Sequence, residues 1–325
     1  MSKNSLFIMV LALTIMTACG SSPSSSSSPV SVDVFWDTAI LQNVTRLTDD
    51  GLSKDWAKVS PDGTKMLYCE SDRTIKMTDM SEPNQYWNIM LLRDINVPAK
   101  TPLTIDSAYA PSWYETNNNF VYAANEARNS RNTSIMRSII TGGGRTYITR
   151  NSVGHLDTRP AIRGGVILCD TEVNNRRRIV SMKDSGMEVT ILGEGHSPSW
   201  HPTLDKFVFI RDGDVYEMHL GSIQVTQLHF DPDFNCAMPS YSPDGNYIMF
   251  QKGAVRKGRG SGGKKTDRWQ IFVTKSDGTS LSPLTIEDVD SYSGSWDLHD
   301  CVYFISNASG KPEIYRAQID FQHIR

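Results

Sequence analysis

The sequence predicts an all-β fold, a six-bladed β-propeller of four-stranded antiparallel blades closed by an N-terminal strand in the last blade. Three observations predict it. A short Pro-aromatic element ending in a turn recurs six times, each copy is followed by runs rich in β-branched and aromatic residues, and the last unit lacks a fourth strand of which a spare copy stands near the N-terminus.

The first strand of each unit carries the recurring element. It reads Lys58-Val59-Ser60-Pro61-Asp62-Gly63, Pro111-Ser112-Trp113-Tyr114, Pro160-Ala161-Ile162-Arg163-Gly164-Gly165, Pro198-Ser199-Trp200-His201-Pro202, Pro239-Ser240-Tyr241-Ser242-Pro243-Asp244-Gly245 and Gly294-Ser295-Trp296-Asp297. Proline presets φ for the turn and glycine completes the reversal. The second strands are Lys65–Tyr68, Phe120–Tyr122, Val166–Leu168, Phe207–Ile210, Tyr247–Phe250 and Val302–Ile305. The third alternate apolar and polar residues: Ile75–Met77, Ile135–Arg137, Ile179–Met182, Val215–Met218, Ile271–Val273 and Ile314–Arg316. Short segments close the units: Leu103-Thr104, Ile148-Thr149, Ile191-Leu192, Gln227-Leu228 and Leu284-Thr285. The sixth closing segment is missing after Arg316, and Arg46-Leu47-Thr48 is its expected replacement.

Ahead of the propeller, Leu6 to Met16 is apolar but shorter than the ~20 residues a transmembrane helix needs. With Lys3 before it and small residues after it, residues 1–18 read as a signal peptide. Met16-Thr17-Ala18-Cys19-Gly20 resembles a lipobox, in which Cys19 becomes the lipidated first residue of the mature protein. The Ser- and Pro-rich residues 19–32 are a tether, and 33–325 the propeller. This places the chain in a bacterial cell envelope, on the periplasmic side of the outer membrane or at the cell surface. Cys69, Cys169, Cys236 and Cys301 are expected to be buried free thiols.

Six repeats of this type ending in Leu-Thr strands resemble the TolB-like β-propeller family, across about Thr45 to Asp320. Val30 to Asn43 is too short to hold the α/β domain that precedes the propeller in TolB. The resemblance implies a propeller that binds a protein at its channel mouth, as TolB binds the peptidoglycan-associated lipoprotein Pal, and hence a role in envelope integrity or transport. Related propellers precede a serine peptidase domain or form a lyase.

Little in the sequence points to catalysis. No Gly-x-Ser-x-Gly elbow is present. In Gly258-Arg259-Gly260-Ser261-Gly262-Gly263-Lys264-Lys265-Thr266 the residue after Lys264 is Lys, where a P-loop has Ser or Thr, and the segment is expected to join two strands and to open no helix. The expected protein is non-enzymatic and monomeric, without a cofactor. The alternatives are a glycan- or peptidoglycan-binding mouth and, behind it, a propeller lyase or hydrolase. A formal net charge of -3 gives no basis for nucleic-acid binding.

Residues just before the six elements are expected to converge at one channel mouth: Asp55, Trp56, Ser107, Tyr109, Asp157, Arg159, His196, Asn235, Asp290 and Tyr292. Their aromatics would anchor a partner. Their carboxylates would suit Ca²⁺, while the metal content itself stays open. Loops between second and third strands are expected on the same face as a basic rim: Arg128 and Arg131 in blade two, Arg176, Arg177 and Arg178 in blade three, and Arg256, Lys257, Arg259, Lys264, Lys265 and Arg268 in blade five. The opposite face is expected to offer only short turns.

Overall fold

The computed structural model describes residues 35–71, 87–97, 99–104, 107–126, 132–150, 156–255 and 268–325. They lie in one unit, Val34–Arg325. The signal peptide, Cys19 and the tether lie outside the described residues.

The described residues form 24 strands in six four-stranded antiparallel sheets. Strand β1 (Leu41–Arg46) stands apart from the sequential order. Blade one is β2 (Ser53–Val59), β3 (Met66–Ser71), β4 (Asn88–Leu92) and β5 (Lys100–Pro102); blade two is β6 (Ala108–Trp113), β7 (Asn119–Asn125), β8 (Thr133–Ile139) and β9 (Thr146–Tyr147). Blade three is β10 (Thr158–Arg163), β11 (Val166–Val173), β12 (Arg176–Lys183) and β13 (Thr190–Glu194); blade four is β14 (His196–Trp200), β15 (Lys206–Arg211), β16 (Asp214–His219) and β17 (Gln224–His229). Blade five is β18 (Phe234–Tyr241), β19 (Tyr247–Val255), β20 (Gln270–Lys275) and β21 (Ser282–Pro283). Blade six is β22 (Ser291–Trp296), β23 (Cys301–Ser306) and β24 (Glu313–Ile319), completed by β1. The inner strands β2, β6, β10, β14, β18 and β22 touch in succession, and β22 returns to β2.

Ring closure follows the sequence expectation, with earlier bounds. Leu41 pairs with Ile319 and Arg46 with Tyr315, so the strand precedes Leu47-Thr48 rather than containing it. The Leu-Thr pair is instead a latch. Leu47 N–H donates to Ile314 O at 2.8 Å, and Thr48 Oγ1 accepts from Ile314 N–H at 3.0 Å. The same two bonds join Leu103-Thr104 to Ile89, Ile148-Thr149 to Ile135 and Leu284-Thr285 to Ile271. A hydroxyl supplies an acceptor where the outer strand ends, so the third strand's buried N–H stays paired. Blades three and four lack this threonine; Ile191-Leu192 and Gln227-Leu228 lie inside β13 and β17.

Blade one corrects a second expectation. Its third strand is β4, Asn88–Leu92, paired with β3 from Met66↔Leu92 to Glu70↔Asn88. Ile75–Met77 lies outside the described residues. The Ile89–Leu92 run is buried throughout, so it shows a continuous apolar stretch instead of alternation.

The Ser-Pro-Asp-Gly turns close as their chemistry requires. In blade one, Ser60 Oγ donates to Asp62 Oδ1 at 2.6 Å, that oxygen accepts from Thr64 N–H at 3.0 Å, and Gly63 takes φ +71°. The four cysteines are buried free thiols.

Candidate functional site

Each inner strand carries one residue in the left-handed region: Trp56, Ala110, Arg159, Ser197, Met238 and Ser293, with φ between +49° and +58°. At each, the pairing with the second strand slips, as between Asp55 and Lys58 or between Thr158 and Ala161. This is a β-bulge repeated around the ring. A bulge re-aims side chains and frees a backbone N–H. The freed N–H is capped by the preceding blade in blades four and six: Ser197 by Asp170 Oδ1 at 3.1 Å and Ser293 by Gln251 Oε1 at 2.9 Å. In blades two, four and six the motif tryptophan donates to the preceding inner strand: Trp113 to Lys58 O at 2.9 Å, Trp200 to Ala161 O at 3.2 Å and Trp296 to Ser240 O at 3.4 Å. The ring is therefore built in pairs of blades.

The bulge and the residues after it line a cavity of about 180 Å³, with Trp56, Lys58, Arg159, Ser197 and Met238 in its wall. A second cavity of about 210 Å³ is lined by Lys58, Trp200, Ser240, Tyr241, Ser295 and Trp296. Lys58 is the residue common to both walls.

The expected mouth residues are mostly interior. Trp56, Tyr109 and Tyr292 are 7%, 3% and 6% exposed. Trp56 packs edge-on against Trp87 at 5.6 Å and tilted against Tyr109 at 5.4 Å, and Tyr292 Oη donates to Lys54 O at 3.1 Å. They join blades and do not stand at a rim as anchors. Asp55 and Asp157 are also buried, and Asp290 is partly so.

Asp55 Oδ1 accepts from Trp56 N–H at 2.7 Å and from Ser293 Oγ at 2.8 Å. Burial outweighs these bonds and raises its pKa to about 6. Arg159 turns to Asp170, a buried carboxylate that also receives Arg177 at 3.1 Å and Thr158 Oγ1 at 2.8 Å. Burial pushes the Asp170 carboxyl up, but Arg159, Arg177 and the remaining partners hold it below the ordinary carboxylate range. His196 Nδ1 lies 3.0 Å from Ser197 Oγ, and burial beside Arg159 lowers its pKa to about 4, so it is neutral at pH 7. Among the described residues no three His, Cys, Asp or Glu side chains come together to hold a metal ion.

The basic rim is rearranged as well. Asn174 and Asn175, both at positive φ, form the tight turn of blade three, and Arg176, Arg177 and Arg178 lie within β12. Arg176 and Arg178 pair with Glu194 at 2.7 and 3.2 Å, whereas Arg177 points inward to Asp170. Arg268 donates to Asp288 O. Arg128, Arg131, Arg256, Lys257, Arg259, Lys264 and Lys265 lie outside the described residues. Phe230 is 58% exposed in the connection from blade four to blade five, on the face where inner strands begin. The opposite face is richer than expected: Leu204, Leu298, Met187 and Ile223 are exposed in its turns.

No protein-family model matches the sequence, and no curated protein matches it. Solved structures share the fold. TolB from Acinetobacter baumannii superposes with a TM-score of 0.53 at 13% identity, over 80% of this chain and 66% of that one. Putative TolB from Agrobacterium tumefaciens gives 0.55 at 13% identity, over 85% and 96%. A chain of a nidogen/laminin complex gives 0.52 at 7% identity, over 73% and 82%. The shared feature is the propeller itself.

Proposed function

We propose that this protein is a lipid-anchored, non-enzymatic binding module of the bacterial cell envelope, with a protein partner docking where the inner strands begin. The observation that carries this reading is the make-up of that face. Phe230 stands exposed there, and the exposed guanidinium of Arg176 lies beside Arg178 and Glu194. Aromatic and Arg side chains are the residue types that dominate protein interfaces. The fold shared with TolB structures and with a chain from a nidogen/laminin complex supports a binding role. The lipobox-like Cys19 supports the anchor, and a Pal-like envelope lipoprotein is the partner class that the sequence resemblance implies.

The test is site-specific photocross-linking in cells. A cross-linker at Phe230 or Arg176 is expected to trap one discrete envelope protein, and Phe230→Ala with Arg176→Glu to weaken its capture. Adducts formed from Leu204 and Leu298 alone would place the docking surface on the opposite face.

A further inference from the structure

One layer of the channel breaks the ring's own pattern. Two residues beyond each bulge, the inner strands present Lys58, Ser112, Ala161, Ser199, Ser240 and Ser295. Five are small and one is a long cation. Lys58 contributes to the walls of both channel cavities. Among the described residues its side-chain nitrogen makes no hydrogen bond or salt bridge. Burial pulls the Lys58 pKa below the ordinary lysine value, and Asp55, beyond ion-pair distance and already engaged with Trp56 N–H and Ser293 Oγ, offsets this only in part; an anion beside the nitrogen would hold its proton.

The surrounding polar atoms are short of acceptors. Trp56 Nε1, in the wall of the first cavity, is buried with no hydrogen-bond partner. Ser240 Oγ and Ser295 Oγ, in the wall of the second, are buried and equally unpartnered. Unmade bonds of this kind cost free energy that an occupant with acceptor atoms would recover. The other cation of the first cavity, Arg159, shares Asp170 with Arg177. Among the described residues that line the two cavities, Lys58 is thus the cation without an ion-pair partner, and the one positive charge of its protonated form is matched better by a monoanion than by a dianion.

We propose that the propeller channel is a carboxylate-binding site, with the Lys58 ammonium as its charge partner and the Trp56 indole N–H, Ser240 and Ser295 hydroxyls as neighbouring donors. The two cavities that meet Lys58, of about 180 and 210 Å³, are each below the ~300–1,000 Å³ of sites for drug-sized ligands, so the ligand group is one small carboxylate. It belongs to a free short-chain acid or to the carboxyl end of an inserted peptide. The inference stands independently of the docking face proposed above.

Calorimetric titration of the full chain in chloride-free buffer tests it, with acetate, N-acetylglycinate, the neutral N-acetylglycinamide and inorganic phosphate as probes. Acetate and N-acetylglycinate are expected to bind once per chain, phosphate more weakly, and the amide not at all. Lys58→Met is expected to weaken carboxylate binding roughly ten- to hundredfold, the range for loss of a charged hydrogen bond, with Lys58→Arg retaining most of it. Exposed Lys275→Met is the control and is expected to match wild type. A melting curve of each variant separates lost binding from lost fold, and acetate-dependent stabilisation of wild type but not Lys58→Gln is a second readout. A short peptide with a free C-terminus, compared with its amidated form, distinguishes the sources: binding of the free form alone assigns a peptide carboxylate, and exclusion of both with acetate still bound assigns a free acid. Absence of acetate binding to wild type, equal binding by folded Lys58→Met, or binding of the amide as tight as the carboxylate would overturn the proposal.

Discussion

Thr48 and Ile314 are joined by a hydrogen bond across 266 positions, Thr48 Oγ1 accepting from the Ile314 N–H at 3.0 Å. Thr48 in turn donates to the buried Glu313 carboxylate at 2.5 Å, which also meets Lys54 Nζ at 3.1 Å. The first and last parts of the propeller are therefore locked by the device that finishes blades one, two and five within their own sequence. Closure is side-chain specific as well as strand pairing.

Thr48→Val is expected to lower stability by about 1–3 kcal/mol, because it leaves a buried N–H and part of a buried carboxylate unpaired. Deleting Leu41–Arg46 is expected to cost more than the substitution, since it strips β24 of its partner and opens a sheet edge. Chemical denaturation of both variants checks the ranking; equal loss in the two would show that β1 pairing contributes nothing beyond the latch.

Much of this fold is legible in the sequence because turn and latch chemistry is local. Ser60-Pro61-Asp62-Gly63 and Leu103-Thr104 announce themselves by residue type. Two features are not local. The β4 strand of Ile89–Leu92 is buried on both sides, so the alternation that marks a half-exposed strand is absent. The bulge residues, among them Trp56, Arg159 and Met238, adopt positive φ without being Gly or Asn. Nothing in their identity shows that the backbone turns there, and that turn decides whether Trp56 faces solvent or its neighbours. The aromatic mouth expected from sequence fails at this step, while the bond from the Trp113 indole to the preceding blade appears only once the blades are stacked.

Trp113→Phe keeps most of the apolar volume and removes the bond from Nε1 to Lys58 O. The expected loss is about 1–2 kcal/mol, the scale of an unsatisfied buried carbonyl. Trp113→Ala is expected to lose about 3–5 kcal/mol, since a cavity between blades one and two is added. Urea midpoints of the two variants separate the bond from the packing.

Asp55 and His196 are expected to tilt the pH dependence of stability in opposite directions. The folded pKa of Asp55 is about 6 against 3.8 for the free group, so the native state holds a proton that the unfolded chain releases in that window. Its contribution is present below about pH 4 and lost as pH rises through 6, a difference of about 3 kcal/mol at 1.36 kcal/mol per unit. Asp55→Asn, which keeps an acceptor for Trp56 and Ser293, is expected to melt higher than wild type at pH 8, the gain shrinking towards pH 4. For His196 the folded value is about 4 against 6.5. Its contribution is present above pH 6.5 and lost as pH falls through 4, so His196→Gln is expected to resist acid better. Melting curves from pH 4 to 8 check both slopes.

On the proposed anchor at the lipobox-like Cys19, Cys19→Ser is expected to abolish fatty-acid labelling and shift the protein from the membrane to the soluble fraction. Metabolic labelling with an alkyne fatty acid measures it directly, and a mutant that still labels would remove the anchor from the functional reading.

Asp170 is the point where blade three, its bulge and blade four depend on one side chain. It is fully buried and accepts from Thr158 Oγ1, Arg159, Arg177 and the freed N–H of Ser197. Removing the charge takes away the carboxylate that Arg159 and Arg177 share, so Asp170→Asn is expected to cost about 3–5 kcal/mol although it preserves shape. Because the folded Asp170 pKa is depressed, wild type keeps this contribution above the ordinary carboxylate range and loses it as pH falls below that range. The penalty of Asp170→Asn should then shrink in strong acid. Combining it with Arg159→Met should cost less than the sum of the two single changes, because both remove the same Arg159–Asp170 interaction. A double-mutant cycle measured by denaturation at neutral pH reads that coupling. Strict additivity would mean that the Arg159–Asp170 ion pair contributes nothing to the stability of blade three.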